Sequence, residues 1–309
     1  MSANIDASTA LYGIIGYPLG HSLSPLMHNA AFRECNINAV YLAFPMKNII
    51  NLKYSMKQFG IRGLSVTIPH KTHVKRFIDQ MDPIAVQIGS VNTVVRNKSG
   101  LLYGTNTDGY GSIEAIKSSG FDIKGKKILI IGSGGSARAI AFSLVAERPV
   151  KIAMLGRNSA SIRNIFRGLR SIRKHPELAV LRLESEEKRN RIIYPYEKWL
   201  SSPEQINEYD LIVQTTPMGM RGSGLDNMSP LSADYLSTHQ TVFDIVYNPE
   251  VTPLIKIART KKLEIIPGYK MLLFQGVKQF ELFTGVKAPV DLMDRTLRSA
   301  LKKKSRSNG

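Results

Sequence analysis

The chain has 309 residues, is 43% hydrophobic and 21% charged, and carries 42 Lys+Arg against 24 Asp+Glu for a formal net charge of +18. At about 100–200 residues per domain this length points to two domains with proper cores, and a single cysteine, Cys35, excludes a disulfide framework and leaves a Cys-based zinc site without ligands, which fits a reducing compartment. The opening MSANIDASTA has no basic stretch followed by an apolar one, and no uncharged run reaches the roughly 18 apolar residues of a membrane span, so a soluble cytoplasmic protein with no membrane partner is expected.

Short β-rich runs alternate with helical stretches from end to end. The expected strands are Leu11–Gly16, Val40–Phe44, Gly63–Thr67, Val91–Val95, Lys127–Ile131, Lys151–Leu155, Leu211–Thr215, Thr241–Ile245 and Leu263–Ile266. Between them, Ser24–Cys35 reads as a helix with Ser24 as N-cap and Pro25 in the first turn, and Ser136–Glu147 as a helix opened by a glycine turn. Such alternation specifies an α/β fold of parallel sheets with helices on their faces. The best boundary lies near Asn106–Ser119, before the polar turn Asp122–Lys126. We therefore expect an N-terminal α/β domain at 1–107 and a second domain with a parallel sheet at 108–268. C-terminal helices at 269–309 would return to the first domain, and a cleft between the two domains would hold a small molecule.

The charge excess is concentrated in 157–191 (Arg163, Arg167, Arg170, Arg173, Lys174, Lys188, Arg189, Arg191) and in the tail (Lys302, Lys303, Lys304, Arg306). Neither stretch interleaves aromatics with basic residues, and neither has a zinc-finger, homeodomain or RNP pattern. A solvated helix face and a frayed terminus account for them, so no nucleic-acid partner is expected.

The run Lys127-Ile-Leu-Ile-Ile131 leads into Gly132-Ser133-Gly134-Gly135-Ser136-Ala137, a strand, a glycine turn and a helix start that match G-x-G-x-x-A. Gly132 permits the tight turn, Gly134 lets the backbone approach a pyrophosphate, and Ala137 is small enough for the helix to pack on the strand. The helix N-terminus then receives the phosphate charge. About 20 residues on, where an acid would bind the ribose 2′-OH of NAD, the next strand ends in Gly156-Arg157-Asn158. A guanidinium there suits a 2′-phosphate, so the reading leans to NADP, with NAD possible.

Four polar motifs punctuate the first half: His21-Ser22-Leu23-Ser24-Pro25, Ser65-Val66-Thr67-Ile68-Pro69-His70-Lys71, Ser90-Val91-Asn92-Thr93 and Asn106-Thr107-Asp108-Gly109. Each follows a strand or ends one, where open α/β sheets build sites. Singly they are caps, turns and exposed charges. Together with a nicotinamide cofactor, their hydroxyls, amide, ammonium and carboxylate suit a polyhydroxylated carboxylic acid. Ser22 and Ser24 would meet its carboxylate; Asn92, Thr67 and Asp108 would hold ring hydroxyls. Oxidising a secondary alcohol also needs a proton acceptor, and no histidine dyad is evident. Lys71 with Asp108 is the better pair.

These motifs, with Gly16-Tyr17-Pro18, Thr215-Thr216-Pro217-Met218-Gly219-Met220, Val246-Tyr247-Asn248-Pro249 and Met271-Leu272-Leu273…Gln275-Gly276, run in order along nearly the whole chain. The sequence resembles the shikimate dehydrogenase family, including its shikimate/quinate dehydrogenase paralogues. The resemblance implies an N-terminal α/β substrate domain at 1–107 and a Rossmann-like dinucleotide-binding domain with a parallel sheet at 108–268, and reversible NADP-dependent reduction of 3-dehydroshikimate to shikimate in aromatic amino-acid biosynthesis, by a monomer or homodimer. It implies Lys71 and Asp108 as catalytic residues, and Ser22, Ser24, Thr67, Asn92, Tyr247 and Gln275 as substrate contacts. Ile245 and Gly268 would lie near the nicotinamide, and Gly132, Ser133, Gly134, Gly135, Ser136, Ala137, Arg157 and Asn158 would hold the rest of the cofactor. Against the family's N-R-T, Gly156-Arg157-Asn158 keeps only the arginine, and a later family arginine aligns with Ser161. Gln214 replaces a usual asparagine, and Arg167–Trp199 has a length nearer that of the dual-substrate paralogues. A quinate/shikimate dehydrogenase using NAD or both cofactors is thus the nearest alternative, although Ser24, where quinate-preferring members often have threonine, favours shikimate. A non-catalytic sensor or nucleic-acid-associated protein on the same fold has no chemical need for both Lys71 and Asp108.

Overall fold

The computed structural model describes residues 5–172, 174–181 and 202–306. Of the basic positions singled out above, Arg173, Lys188, Arg189 and Arg191 lie outside them, as does most of the 167–199 segment. The chain divides into two compact units, the described residues of Met1–Gly111 with Leu272–Gly309, and Ser112–Met271. Both boundaries fall inside helices, at 111/112 and 271/272, a few residues beyond the sequence-based boundaries of 107/108 and 268/269.

The first unit contains β1 (Ala10–Gly16), α1 (Ser24–Glu34), β2 (Ala39–Pro45), α2 (Leu52–Gln58), β3 (Ile61–Val66), β4 (Gln80–Met81), α3 (Pro83–Ile88), β5 (Thr93–Arg96) and β6 (Leu102–Thr105). α4 (Asp108–Lys117) starts in this unit and ends in the second. The sheet order is β2-β1-β3-β5-β6-β4. β1 is almost wholly buried and pairs in parallel with β2 and β3, as a central strand covered on both faces must be apolar along its length. The sheet is not fully parallel: β5 runs antiparallel to β3 and β6. A tight turn explains the β5–β6 pair. Asn97 N–H donates to the Leu101 carbonyl (3.0 Å), Leu101 N–H to Asn97 Oδ1 (2.9 Å), and Gly100 takes φ +86°. So short a link joins antiparallel strands, because a parallel pair needs a crossover of about a dozen residues.

The start of α1 also differs from expectation. The N-cap is Leu23, and Ser24 is the first helical residue, 3% exposed, with its N–H facing Ser22 Oγ at 3.4 Å.

The second unit holds β7 (Lys127–Ile131), α5 (Gly135–Ala146), β8 (Lys151–Leu155), α6 (Ser159–Arg170), β9 (Glu177–Val180), α7 (Glu204–Asn207), β10 (Leu211–Gln214), β11 (Thr241–Asp244), α8 (Pro253–Thr260) and β12 (Glu264–Pro267). All its strand pairs are parallel, in the order β12-β11-β10-β7-β8-β9. The chain moves outward from β7 through β8 to β9, then restarts on the other side of β7 with β10. That reversal is the Rossmann switch point, and ligands bind outside the strand ends beside it. Ile128, Leu129, Ile130 and Ile131 are fully buried in β7. In α6, Ile162, Ile165, Phe166 and Leu169 are buried at helical spacing, while Arg163, Arg167 and Arg170 are exposed on the other face. This part of the basic excess is a solvated helix face.

α9 (Gly268–Thr284) begins in the second unit and ends in the first, where α10 (Val290–Arg306) follows and packs on α1. Tyr12 OH donates to the Phe283 carbonyl at 3.0 Å, tying β1 to α9. Among the described residues no helix is long and apolar enough to cross a membrane, and no group of His, Cys, Asp and Glu is arranged to hold a metal ion.

Candidate active site

In the first unit the polar motifs gather around Asp108. Lys71 Nζ lies 2.5 Å from Asp108 Oδ2, with side-chain exposures of 20% and 6%. The aspartate side chain is nearly sealed while the lysine side chain is partly exposed. Asp108 opens α4, its N–H donating to Asn106 Oδ1 at 3.0 Å, and a helix N-terminus favours a negative charge there. Its other oxygen, Oδ1, accepts from Asn92 Nδ2 at 2.8 Å. Both carboxylate oxygens therefore take charge-assisted hydrogen bonds, which are shorter and stronger than neutral ones.

Asn92 stands just before β5. Its backbone N–H donates to the Thr105 carbonyl (3.1 Å), and its carbonyl accepts from Val66 N–H (2.7 Å). Its Oδ1 accepts from Thr107 N–H and Thr93 Oγ1, both at 2.8 Å. Gln275 on α9 joins the group, its Oε1 facing Asn92 Nδ2 at 3.4 Å and its Nε2 donating to the Leu272 carbonyl at 3.2 Å. The Lys71 loop is anchored as well, since the Lys71 carbonyl accepts from Val91 N–H at 2.8 Å.

Ser22 and Thr67 lie in the loops that follow the adjacent parallel strands β1 and β3, bonded by Tyr17 N–H to the Ile68 carbonyl at 3.0 Å, and Ser24 opens α1. Among the described residues no hydrogen bond joins these three side chains to Asp108. Sequence reasoning missed Thr93, Ser65 and Gln279 as parts of the polar network, although Ser65 and Thr93 stand inside motifs it quoted.

In the second unit, Gly132 takes φ +116°, and a Cβ there would meet Thr215 Oγ1 at 2.3 Å, so the turn beside the switch point admits only glycine. Gly134 and Gly135 differ. A Cβ built on either meets nothing within 4 Å, and Gly134 caps α5 without a side-chain hydrogen bond. The open glycine edge and uncapped helix start fit a dinucleotide pyrophosphate, whose oxygens would take the unpaired N–H groups. Ala137 is fully buried behind them. Ser133 and Ser136 are half-buried, and the Ser133 carbonyl accepts from Ser161 Oγ at 2.7 Å. Arg157 is exposed at the end of β8. Asn158, expected to touch cofactor, uses its Oδ1 to accept from Ser161 N–H at 2.8 Å and cap α6.

Ile245 and Tyr247 follow β11, and Gly268 starts α9. A Cβ on Gly268 would stand 2.5 Å from the Val246 carbonyl oxygen and 2.6 Å from that of Asp244, so glycine is what lets α9 begin this close to the loop after β11. Gln214, in place of the family's asparagine, folds back on its own loop, donating to the Thr216 and Met218 carbonyls at 3.1 Å. Burial raises the Tyr247 phenol.

Two buried groups make stability pH-dependent in opposite directions. Burial pushes the Asp244 carboxyl up from 3.8 to about 7, against hydrogen bonds from Thr252 Oγ1 and Val246 N–H. Burial among aromatic rings pushes His28 down from 6.5 to about 3. For Asp244 the folded state holds the proton more tightly, so its contribution is present below pH 3.8 and lost as pH rises through about 7. For His28 the unfolded state holds it more tightly, so its contribution is present above pH 6.5 and lost as pH falls toward 3. In urea unfolding from acid to neutral pH, Asp244→Asn is expected to gain on the wild type as pH rises, and His28→Phe as pH falls. Parallel curves would mean these groups do not titrate as their burial dictates.

One unit has a sheet of dinucleotide-binding order, and the other holds a lysine–aspartate ion pair between the loop after β3 and the start of α4. The family model of the shikimate dehydrogenase substrate binding domain matches residues 14–94, and that of the shikimate 5′-dehydrogenase C-terminal domain matches residues 268–298. A shikimate dehydrogenase (NADP(+)) of Moorella thermoacetica is 38% identical over 96% of this chain and 95% of its own length. A Listeria monocytogenes shikimate 5-dehydrogenase, solved with shikimate and NAD, is 32% identical with TM-score 0.82, covering 96% of this chain and 99% of that one. A shikimate dehydrogenase solved with NADP+ is also 32% identical with TM-score 0.82, covering 97% and 99%. The chain belongs to the shikimate dehydrogenase family.

Proposed function

We propose that this protein is an NADP-dependent shikimate dehydrogenase that interconverts shikimate and 3-dehydroshikimate. The observation that carries the reading is the Lys71–Asp108 pair, one member solvent-accessible and the other sealed, with Asn92 locked beside it. When bound, the nicotinamide cofactor accepts or supplies the hydride. In reduction the Lys71 ammonium, steadied by Asp108, gives its proton to the forming hydroxyl, and in oxidation the neutral Lys71 amine takes that proton back. Asn92, Thr67 and Gln275 orient ring hydroxyls, Ser22 and Ser24 receive the carboxylate, and Tyr247 contacts substrate. Gly132 to Ala137 hold the pyrophosphate, Arg157 meets the 2′-phosphate, and Ile245 and Gly268 border the nicotinamide. The protein works in the cytoplasm as a monomer or homodimer on a small-molecule substrate, without nucleic acid.

One observation favours a broader cofactor range. Ser161 stands where the family pattern has an arginine, and its hydroxyl is engaged by the Ser133 carbonyl, leaving Arg157 as the main cation for a 2′-phosphate. Initial rates with shikimate and quinate, each against NADP and NAD, test the whole reading. Shikimate with NADP is expected to give the highest kcat/KM. Arg157→Ala is expected to lower the NADP-to-NAD ratio of kcat/KM by about 10- to 100-fold, the worth of a hydrogen bond to a charged group. A quinate specificity constant equal to that of shikimate would promote the dual-substrate alternative, and an unchanged cofactor ratio would make Arg157 a bystander.

A further inference from the structure

The Asp108 cluster is the end of a longer line of buried polar groups. Tyr41 OH donates to Ser65 Oγ at 2.6 Å, and Ser65 Oγ donates to Gln279 Oε1 at 2.7 Å. Gln279 Nε2 donates to Thr93 Oγ1 at 3.0 Å and to the Asn92 carbonyl at 3.2 Å. Thr93 Oγ1 donates to Asn92 Oδ1 at 2.8 Å, and Asn92 Nδ2 donates to Asp108 Oδ1 at 2.8 Å. Gln279 is 1% exposed, Thr93 0% and Asn92 2%.

The polarity of this line follows from the groups in it. An amide oxygen only accepts, so the single Ser65 proton is committed to Gln279 Oε1, and Tyr41 must donate to Ser65. The Gln279 amide stands this way round because the Asn92 carbonyl, 3.2 Å from Nε2, can only accept. The Thr93 hydroxyl, accepting from Nε2, spends its own proton on Asn92 Oδ1. Gln279 thus bonds Asn92 at its backbone and, through Thr93, at its side chain. Buried polar networks of this kind hold a single geometry only when every member is satisfied. Gln275 and Gln279 lie four residues apart on α9, hence on one face of the helix, and both reach Asn92.

We propose that Gln279 is a positioning residue for the Lys71–Asp108 pair, acting through Thr93 and Asn92. The inference rests on the shikimate dehydrogenase reading, since the property at stake is the alignment of the proton-transfer pair. It requires no contact between Gln279 and substrate. Gln279→Met keeps the length and apolar packing of the side chain but deletes both amide ends. Gln279→Glu replaces the Nε2 donor by an acceptor, so the Thr93 proton is drawn away from Asn92.

The experiment measures kcat and KM with shikimate and NADP for the wild type, Gln279→Met, Gln279→Glu and Thr93→Val, with thermal unfolding of each. Phe32→Leu, a buried change in the same core at a side chain without hydrogen-bonding atoms, controls for general disturbance of this core. The expected result is a fall in kcat of about 10- to 100-fold in the three line variants, the scale of a misplaced catalytic group. Both KM values should stay within about twofold, as for an interaction expressed mainly in the transition state, and the control should keep wild-type kcat. Thr93→Val breaks the same link without touching α9, so it decides the matter if a Gln279 variant does not fold. Folded variants with wild-type kcat, or with a raised KM alone, would overturn the inference while leaving the activity standing. A wild type that does not turn over shikimate would overturn both.

Discussion

Lys71→Ala is expected to lower kcat for shikimate oxidation by about 10²–10⁴-fold, the usual contribution of a general acid or base, with a much smaller change in NADP affinity. The split follows from where the side chain spends its interactions. Nζ is held by Asp108 Oδ2 at 2.5 Å, whereas the cofactor is assigned to Gly132 to Ala137 and Arg157. Asp108→Asn tests the partner at constant shape. One carboxylate oxygen faces the Lys71 ammonium and the other the Asn92 amide nitrogen, so an amide must turn its own NH2 toward one of two donors. Either orientation disturbs the pair, and kcat should fall with it. Near wild-type turnover in Lys71→Ala would remove this lysine from the chemistry, and a pure KM effect in Asp108→Asn would make that residue a binding group.

How far the sequence carried depended on whether a feature was local. β7 and β8 were read to their end residues, because each is a continuous apolar run stopped by glycine. β9 and β6 were not recognised. Glu177–Val180 is an edge strand of four residues, and Leu102–Thr105 contains a glycine and follows a tight turn, so neither has enough length for its periodicity to register. The reversed β5 was lost to the general rule that alternating strands and helices run parallel, since the Asn97 side chain that closes the turn is a single residue. Ser24 had the right chemistry for an N-cap, but the helix begins one residue earlier than a serine cap requires. In the polar cluster, chemistry singled out Lys71 and Asp108, which are 37 residues apart. Gln279 and Thr93 are 186 apart, and neither residue type is unusual in its local context. Only the packing of α9 against the start of β5 makes them neighbours. Asn158 has a structural task that the resemblance did not include, since its Oδ1 caps α6.

The glycine turn permits a sharp separation of folding from binding. Gly134 has φ −79° and ψ −170°, a conformation open to any residue, and an added methyl meets no atom within 4 Å. Gly134→Ala should therefore change stability by no more than about 1 kcal/mol, combining a reduced unfolded-state entropy with a slightly poorer N-cap. Gly132→Ala must instead place Cβ at φ +116° and 2.3 Å from Thr215 Oγ1, so about 1–3 kcal/mol of overpacking strain is expected. If the open edge of the turn receives the pyrophosphate, the methyl of Gly134→Ala stands in the space the phosphate needs. Losing one or two charged hydrogen bonds would raise the NADP dissociation constant by about 10- to 100-fold. Thermal unfolding with and without NADP reads both quantities at once, because a ligand that binds only the folded state raises Tm according to its free concentration over Kd. Gly134→Ala should unfold with the wild type in the absence of NADP and lose most of its shift in its presence, while Gly132→Ala should unfold early in both. A full NADP shift in Gly134→Ala would mean that the start of α5 is not where the cofactor is anchored, and the open edge would then be a turn without a ligand.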